Sequence, residues 1–391
     1  MKVAFIHDLP VGGAKRTFHS LIPLISDHFD IEIIEFSRKD KDILSIKNSK
    51  FNNNKSFEIE PYKYPRALEI PVIGIYLKIS YLRKSYKLIA EYVNKNFDIA
   101  IITHCRILHT PVVIDLLKIK KFYFCHEPPR SIYEFQEIRN YDNKSLRLKK
   151  IKQLVENSLL RKFDKKIVKK VDFLFSNSYY SAEVLYRIYG KKAIVSQLGV
   201  NSDVFKPSNT PILNVVISVG SLTPIKAHDF VIKCVGKVKG NRPTLIIAHP
   251  LGTKSKFEYE YLKKLAEALN VHVEFKAFVD DHELSNFYCS AITTIYTPHL
   301  EPFGLVSLES MACGTPVLGI SEGGIRETIL DGKSGFLLPW DEFQFAEKIE
   351  LLRDDEILRN NMSNFSINYV KNYFNWGRTA KTIIEGVEKN I

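Results

Sequence analysis

The stretch AITTIYTPHLEPFGLVSLESMACGTPVLGI, residues 291–320, decides the fold. Ala291–Tyr296 is a short apolar run with the β-branched bias of a strand. After a loop that carries Pro298, Pro302 and Gly304 open a helix that runs on through Glu309 and Met311, and Pro316–Ile320 is a second strand. Strand, helix and strand in that order make a βαβ unit, whose strands lie parallel across a right-handed crossover.

The same alternation extends in both directions. Lys2–His7, Ile31–Phe36, Ile99–His104, Lys121–His126 and Val171–Ser176 form one series of strands. Val215–Val219, Thr244–Ala248, Val271–Lys276, Ala291–Tyr296 and Pro316–Ile320 form a second. These runs are almost continuously apolar, as strands are when helices cover both faces. Between the series lies a breaker segment, Gly199 to Pro211, with Asn201, Pro207, Ser208 and Asn209. The organisation is therefore two doubly wound α/β domains, 1–205 and 206–373. A last helix, 374–391, is expected to pack back on the first domain. A chain of 391 residues agrees with two cores. Open parallel sheets bind ligands outside the carboxyl ends of their strands, so the expected site is a cleft between two such faces. Residues 38–65 are polar, with Asn52, Asn53 and Asn54, and read as a long loop.

The charge is unevenly shared. Of 56 basic and 44 acidic residues, 36 and 22 precede the cut at Phe205, whereas 20 and 22 follow it. A net +14 on the first half against −2 on the second excludes a uniformly basic nucleic-acid coat. Eleven of the cations and only Glu156 and Asp164 fall within Lys144–Lys170. There Leu148, Ile151, Val155, Leu159, Phe163 and Ile167 recur at helical spacing. A core-facing helix with a solvated basic face accounts for this pattern. So does a surface that leans on anionic lipid headgroups, where each basic residue adds about 1 kcal/mol. No aromatic interleaving or base-reading module accompanies it, so nucleic acid is not an expected partner.

Neither a signal peptide nor a membrane-spanning helix is expected from these residues, and the five cysteines show no metal or disulfide spacing. A cytoplasmic chain with reduced thiols is expected, peripheral on the inner face of the membrane where the basic helix touches it. Asp40-Lys41-Asp42 has the look of a metal-holding pair but sits away from any strand end. Cys125 beside His126 lacks a third orienting group for nucleophilic chemistry. Asp280-Asp281 reads as a helix cap, and His104 as a strand-end residue that could also line the cleft.

The chemistry concentrates in loops that follow strands of the second half. Glu301 lies in a loop and Glu309 on the helix behind it, on the order of 10 Å apart at helical rise. That separation suits two hydroxyl-bearing parts of one elongated ligand, and the helix start offers backbone N–H groups to a phosphate or to hydroxyls. The alternative is a glutamate that only offsets the helix dipole. Gly323-Gly324, followed by Glu327, lets backbone approach a ligand closely. Gly220-Ser221-Leu222-Thr223-Pro224-Ile225-Lys226 places one lysine between a strand and a helix, where it can take a phosphate.

The ordered set Gly-x-Leu-x-x-x-Lys at 220–226, Glu-x-Phe-Gly-x-x-x-x-Glu at 301–309, Gly-Gly-x-x-Glu at 323–327 and Asp-Gly-x-x-Gly-Phe at 331–336 resembles the family 4 retaining glycosyltransferases of the GT-B fold. The first half matches more loosely, through Gly12-Gly13-Ala14, His126-Glu127, Ser176-Asn177-Ser178 and Gly199-Val200-Asn201. The resemblance implies transfer of a sugar from a nucleotide diphosphate sugar to an acceptor hydroxyl, with retention and without metal or other cofactor. It implies that Glu301 holds donor-sugar hydroxyls with the amides of Phe303, Gly304 and Leu305, and that Glu309 holds the ribose. Lys226 would neutralise the diphosphate, aided by the amides behind Gly12 and Gly13, and His126 would reach the donor sugar from the acceptor side. The acceptor would be a glycan or a lipid-linked saccharide. Ser221 stands where the family has an arginine, so half of the cationic clamp is missing; Lys15, Arg16, Arg130 and Arg326 are the replacements that position allows. Two rival readings remain, a nucleotide-sugar hydrolase or epimerase of the same fold and a silent nucleotide-sugar-binding protein.

Overall fold

The computed structural model describes residues 1–9, 13–37, 54–58, 71–134, 146–250, 255–277 and 279–391. The chain divides into two compact units, one of Met1–Ser196 with Thr379–Ile391 and one of Gln197–Arg378.

The first unit runs β1 (Lys2–Asp8), α1 (Gly13–Ile25), β2 (Asp30–Ser37), β3 (Asn54–Glu58), α2 (Pro71–Asn96), β4 (Ile99–Cys105), β5 (Lys120–Phe124), α3 (Arg130–Tyr133), α4 (Leu146–Lys169), β6 (Phe173–Ser176), α5 (Tyr179–Tyr189) and β7 (Ala193–Val195). Its strands form one parallel sheet in the order β3-β2-β1-β4-β5-β6-β7. The order doubles back at β1/β4, which puts the loops after β1, β4 and β5 together at the carboxyl end of the sheet. All seven residues of β4 are buried, as a central strand covered on both faces requires. Leu82, Tyr86, Ile89 and Val93, spaced three or four apart on α2, close the core on one face.

The second unit runs β8 (Val215–Val219), α6 (His228–Lys237), β9 (Thr244–His249), α7 (Ser255–Ala268), β10 (Val273–Ala277), α8 (Asp281–Ser290), β11 (Thr293–Tyr296), α9 (Leu305–Ala312), β12 (Val317–Ile320), α10 (Ile325–Thr328), β13 (Gly335–Leu338), α11 (Glu342–Asp354) and α12 (Glu356–Tyr373). Its sheet, again all parallel, has the order β10-β9-β8-β11-β12-β13. Phe230 of α6 meets Phe345 of α11 edge to face at 5.3 Å, which joins two helices over one face. Phe205, at the expected boundary, is buried in this unit, where Ser285 donates to the carbonyl of Val204. Asp280 accepts from the Glu283 amide at 2.8 Å and so caps α8. The last helix, α13 (Trp376–Glu388), crosses into the first unit at Thr379. There a Cβ on Gly386 would fall 2.8 Å from the Phe175 ring, so the helix lies flush against β6.

Two strands differ from the sequence reading. The span 38–65 is not all loop, because Asn54–Glu58 pairs with β2 as β3. β3 ends the sheet, and an edge strand can stay polar because only one side of it is covered. Its Phe57 packs on Tyr92, and Lys55 lies 3.5 Å from the Tyr92 ring centre. β7 escapes notice because it is only three residues long and half-buried throughout. Asp40 and Asp42, and Lys144 at the start of the basic stretch, lie outside the described residues.

Candidate functional site

In the second unit, the loops after β8, β11 and β12 converge. The Lys226 ammonium lies 2.9 Å from Glu301 Oε2, with the two side chains 23% and 18% exposed. The sequence assigns these residues to different parts of a ligand, and the structure joins them to one another. A half-buried pair of this kind contributes about 1 kcal/mol or less, so a ligand can replace it at low cost. The backbone is bent to make it. Ala227, directly after Lys226, has φ +50°, and Leu300, directly before Glu301, has φ +46°. Left-handed backbone costs a residue with a Cβ roughly 1–2 kcal/mol, and such strain concentrates where side chains are held for a purpose.

Gly304 caps α9 at φ +103°, so the helix that carries Glu309 starts directly after the Glu301 loop. The first amides of α9 have no partner within the helix by construction, and they follow Phe303 and Gly304. The glycine pair 323–324 makes its close approach to the protein's own chain. The Gly324 amide donates to the Glu301 carbonyl at 2.7 Å, and a Cβ on Gly324 would stand 2.1 Å from the Pro302 carbonyl oxygen. These glycines therefore hold the Glu301 loop from behind. Glu327 accepts from Gln197 Nε2 at 3.2 Å.

Three features of this site have no sequence motif. Tyr288 donates to Glu309 Oε2 at 3.3 Å, and the Tyr296 ring centre lies 6.0 Å from the Lys226 ammonium; both rings are buried. His228 sits behind Lys226, hydrogen-bonded to Ser218 at 3.0 Å, and burial first and the lysine charge second lower its pKa to about 4. Trp340 donates to Glu322 at 2.6 Å and stacks on His299 at 4.3 Å. The pairings of Tyr288 with Glu309 and of Trp340 with Glu322 and His299 join residues remote in sequence, so no local pattern announces them.

In the first unit, a cavity of about 430 Å³ opens at the carboxyl ends of β1, β4 and β5. Leu9, Lys78, His104, Arg106, His109 and Ser131 are among its lining. His104 and His109 face each other at 3.9 Å between ring centres, and His126 lies 5.7 Å from His104. Burial lowers the pKa of all three, to about 4 for His109 and about 3 for His126, so each ring is neutral at pH 7. His104 Nε2, His109 Nδ1 and His126 Nε2 are buried without a hydrogen-bond partner. His104 is thus a cavity residue, and a strand-end role alone does not describe it. His109, Lys78 and Arg106 carried no motif; His109 betrays itself only by φ +64°.

Two proposed stand-ins for the missing arginine are already engaged. Lys15 is buried in an ion pair with Glu35 at 2.9 Å. Arg130 pairs with Glu134 and lies 3.9 Å from Glu127. In the second unit Arg326 donates to the Gly323 carbonyl at 3.1 Å, and Ser221 meets Thr223 at 3.2 Å. Gly12 and the side chain of Arg16 lie outside the described residues, and Gly13 begins α1. Cys125 is buried against the Glu127 carbonyl at 3.2 Å, and burial pushes its thiol up, which makes it inert. Among the described residues no cluster of His, Cys, Asp and Glu is suited to a metal, and no helix is long and apolar enough to cross a membrane.

Known proteins share part of this sequence and its fold. The family model for glycosyl transferases group 1 matches residues 201–369. The D-inositol 3-phosphate glycosyltransferase of Acidothermus cellulolyticus is 32% identical over 241 residues, 56% of this chain and 53% of that protein. Its counterpart from Streptomyces avermitilis is 29% identical over 239 residues, 55% and 51%. The match spans about half the length of these relatives. Among solved structures, Anabaena HepE in complex with UDP and glucose superposes with a TM-score of 0.77 at 16% identity over 100% of both chains. Sucrose-phosphate synthase from Thermosynechococcus elongatus gives 0.76 at 16% identity over 99% of this chain and 98% of that one. At such identities the likeness speaks for the fold. Residues 201–369 thus match the model for glycosyl transferases group 1, and the chain resembles the family 4 glycosyltransferases in its GT-B fold.

Proposed function

We propose that this chain transfers a sugar, with retention, from a nucleotide diphosphate sugar to an acceptor hydroxyl. The observation that carries the reading is the Lys226–Glu301 pair at 2.9 Å beside the start of α9. One cation, one carboxylate and a helix N-terminus at one strand end match a ligand with a diphosphate and a hydroxylated ring. HepE of Anabaena has been crystallised with UDP-glucose, which supports a donor of that class here.

In this reading the diphosphate takes Lys226 from Glu301, and the amides of Phe303, Gly304 and Leu305 share its charge. Ser221 adds one hydrogen bond, and Gly323 and Gly324 hold the loop in place. Freed from the lysine, Glu301 accepts from sugar hydroxyls, while Glu309 accepts from the ribose. As the glycosidic bond to the diphosphate breaks, the sugar becomes oxocarbenium-like and the fixed positive groups stabilise the leaving oxygen. The acceptor hydroxyl attacks from the same face, and its proton passes to a diphosphate oxygen. No metal is assigned a part.

The acceptor belongs to the first unit. Its cavity offers neutral imidazoles of His104 and His109 to hydroxyls, with Lys78 and Arg106 for an anionic group. His126 would contact the donor sugar from this side, and the amides behind Gly12 and Gly13 would face the diphosphate. The excess positive charge there fits a glycan or lipid-linked saccharide with anionic character. It also fits peripheral attachment of α4 to an anionic membrane surface on the cytoplasmic side. Leu154 on α4 is 66% exposed among the lysines, in keeping with this attachment.

A panel of nucleotide sugars read by thermal stabilisation tests the donor. A ligand at 100 times its Kd raises stability by about 2.7 kcal/mol, and no response to any member refutes the reading. Release of nucleotide from donor alone, as fast as with acceptor extract, favours a hydrolase instead. Vesicle binding that ignores anionic lipid content and salt refutes the membrane assignment.

A further inference from the structure

In the first unit α2 and α4 pack against each other, and their exposed stripes share one pattern. On α2 the stripe reads Ile73, Tyr76, Ser80, Lys84 and Lys87. On α4 it reads Val155, Ser158, Lys162, Lys165 and Lys169. Both advance by three or four residues at a step, so each lies along one helix face. In each the apolar residues stand towards the N-terminus, a serine follows, and lysines take the rest. Leu154 adjoins Val155; it is 66% exposed and Tyr76 is 70% exposed. Lys78 of α2 and Leu160 of α4 line the same cavity, and further along Arg83 and Lys170 both pair with Asp115. The helices therefore run in the same direction, and their apolar ends lie on the same side. At helical rise Ile73 and Leu154 stand about 8 and 9 Å beyond Lys78 and Leu160, and the lysine rows begin about 10–12 Å behind the apolar residues. A core-facing helix with a solvated face has no reason to segregate its exposed residues in this way. A helix lying flat in an interface is apolar along its whole length. Apolar ends followed by lysines suit a pair of helices that enter an anionic surface tip first.

We propose that this tip docks the first unit on an anionic bilayer, and that the acceptor is a membrane lipid with an anionic headgroup, glycosylated without leaving that bilayer. The second half of the proposal rests on the acceptor reading given above. A tip sunk about 5–10 Å into the boundary of headgroups and acyl chains brings Lys78 and the cavity to the height of the lipid phosphates, with the lysine rows just above them. The headgroup then enters with its phosphate on Lys78 and its hydroxyls against His104 and His109. One headgroup oxygen forms the new bond to the sugar as the bond to the diphosphate breaks, and the hydroxyl proton leaves on the diphosphate.

The docking is tested by sedimentation with phosphatidylcholine vesicles, with and without phosphatidylglycerol. Wild type should bind the anionic vesicles and leave them in high salt. Tyr76→Ser and Leu154→Ser should each weaken binding about tenfold, the scale of withdrawing one large apolar side chain from lipid, with Tm unchanged. Leu88→Ser is the control. Leu88 is 71% exposed on the same helix but about 18 Å past Tyr76, so its loss should leave binding as in wild type. Lys162→Glu with Lys165→Glu should weaken binding and flatten its salt dependence. Full binding by the tip variants, or an equal loss in Leu88→Ser, overturns the docking. The acceptor is tested with a radiolabelled nucleotide sugar, offered the lipid extract and the water-soluble extract of one membrane preparation. Label in the lipid phase, reduced in the tip variants as binding is, is the expected result. Label in the water-soluble extract alone overturns the lipid acceptor. Label in neither, with tip-dependent binding intact, refutes the transfer reading and the lipid acceptor with it, and leaves the docking established.

Discussion

Gly324 offers a direct test of how the Glu301 loop is held. The α-hydrogen that stands where a Cβ would be points at the Pro302 carbonyl. In Gly324→Ala the new carbon would stand 2.1 Å from that oxygen and 2.6 Å from its carbon. An ordinary carbon–oxygen contact is about 3.3 Å, so the two strands of chain must separate by roughly 1 Å. Neither atom belongs to a flexible side chain, and the Gly324 amide is bonded to the Glu301 carbonyl at 2.7 Å. The displacement therefore reaches Glu301 itself and stretches its 2.9 Å contact with Lys226. Overpacking of this kind costs about 1–3 kcal/mol, which lowers Tm by roughly 3–10 °C in a unit of this size. A misplacement near 1 Å at a reacting centre costs about a hundredfold in rate. Differential scanning calorimetry and UDP release measure the two effects. Gly240→Ala is the control, since Gly240 has φ +70° but no atom within 4 Å of its Cβ. It should cost about 1 kcal/mol from backbone strain alone and leave turnover intact. If Gly324→Ala behaves like Gly240→Ala in both assays, the argument that the glycine pair braces the Glu301 loop is wrong.

Three further outcomes follow from the same structure. Glu301→Gln keeps shape and should cut kcat by about a hundredfold or more while Tm moves by only a few degrees, because a half-buried pair contributes little to stability; wild-type turnover would refute the site. Stability should fall in mild acid. His109 and His126 have folded pKa values near 4 and 3 against an ordinary 6.5, so the folded state binds fewer protons than the unfolded one between those limits. Their contribution is complete above pH 6.5 and is lost as pH falls towards 4. Tm of wild type should drop over that range more steeply than Tm of His126→Gln, and parallel curves would contradict the burial argument. Chelator in excess should leave sugar transfer unchanged; loss that a divalent ion restores would require a metal site.

Much of the fold is legible in the residues. Nearly continuous apolar runs such as Ile99–His104 read as strands covered on both sides, and alternation with helices implies parallel pairing. The motifs proposed to hold the donor are legible too, because Gly304 before a helix and Lys226 after a strand are local chemistry. What escaped notice is either short and polar, as β3 at the sheet edge, or assembled from distant pieces. His104, His109, Lys78 and Arg106 meet only because the sheet order brings the ends of β1, β4 and β5 beside α2.

The sequence by itself determined two doubly wound units, the loops that carry chemistry, and the two carboxylates eight residues apart. Spacing along one strand or helix is enough for those. Only the tertiary structure decided how they are held: that Lys226 rests on Glu301, that Gly324 backs the loop, and that Tyr288 donates to Glu309. The reason is that a buried hydrogen bond depends on which side chains packing brings within 3 Å, and packing is a property of the whole unit rather than of any segment.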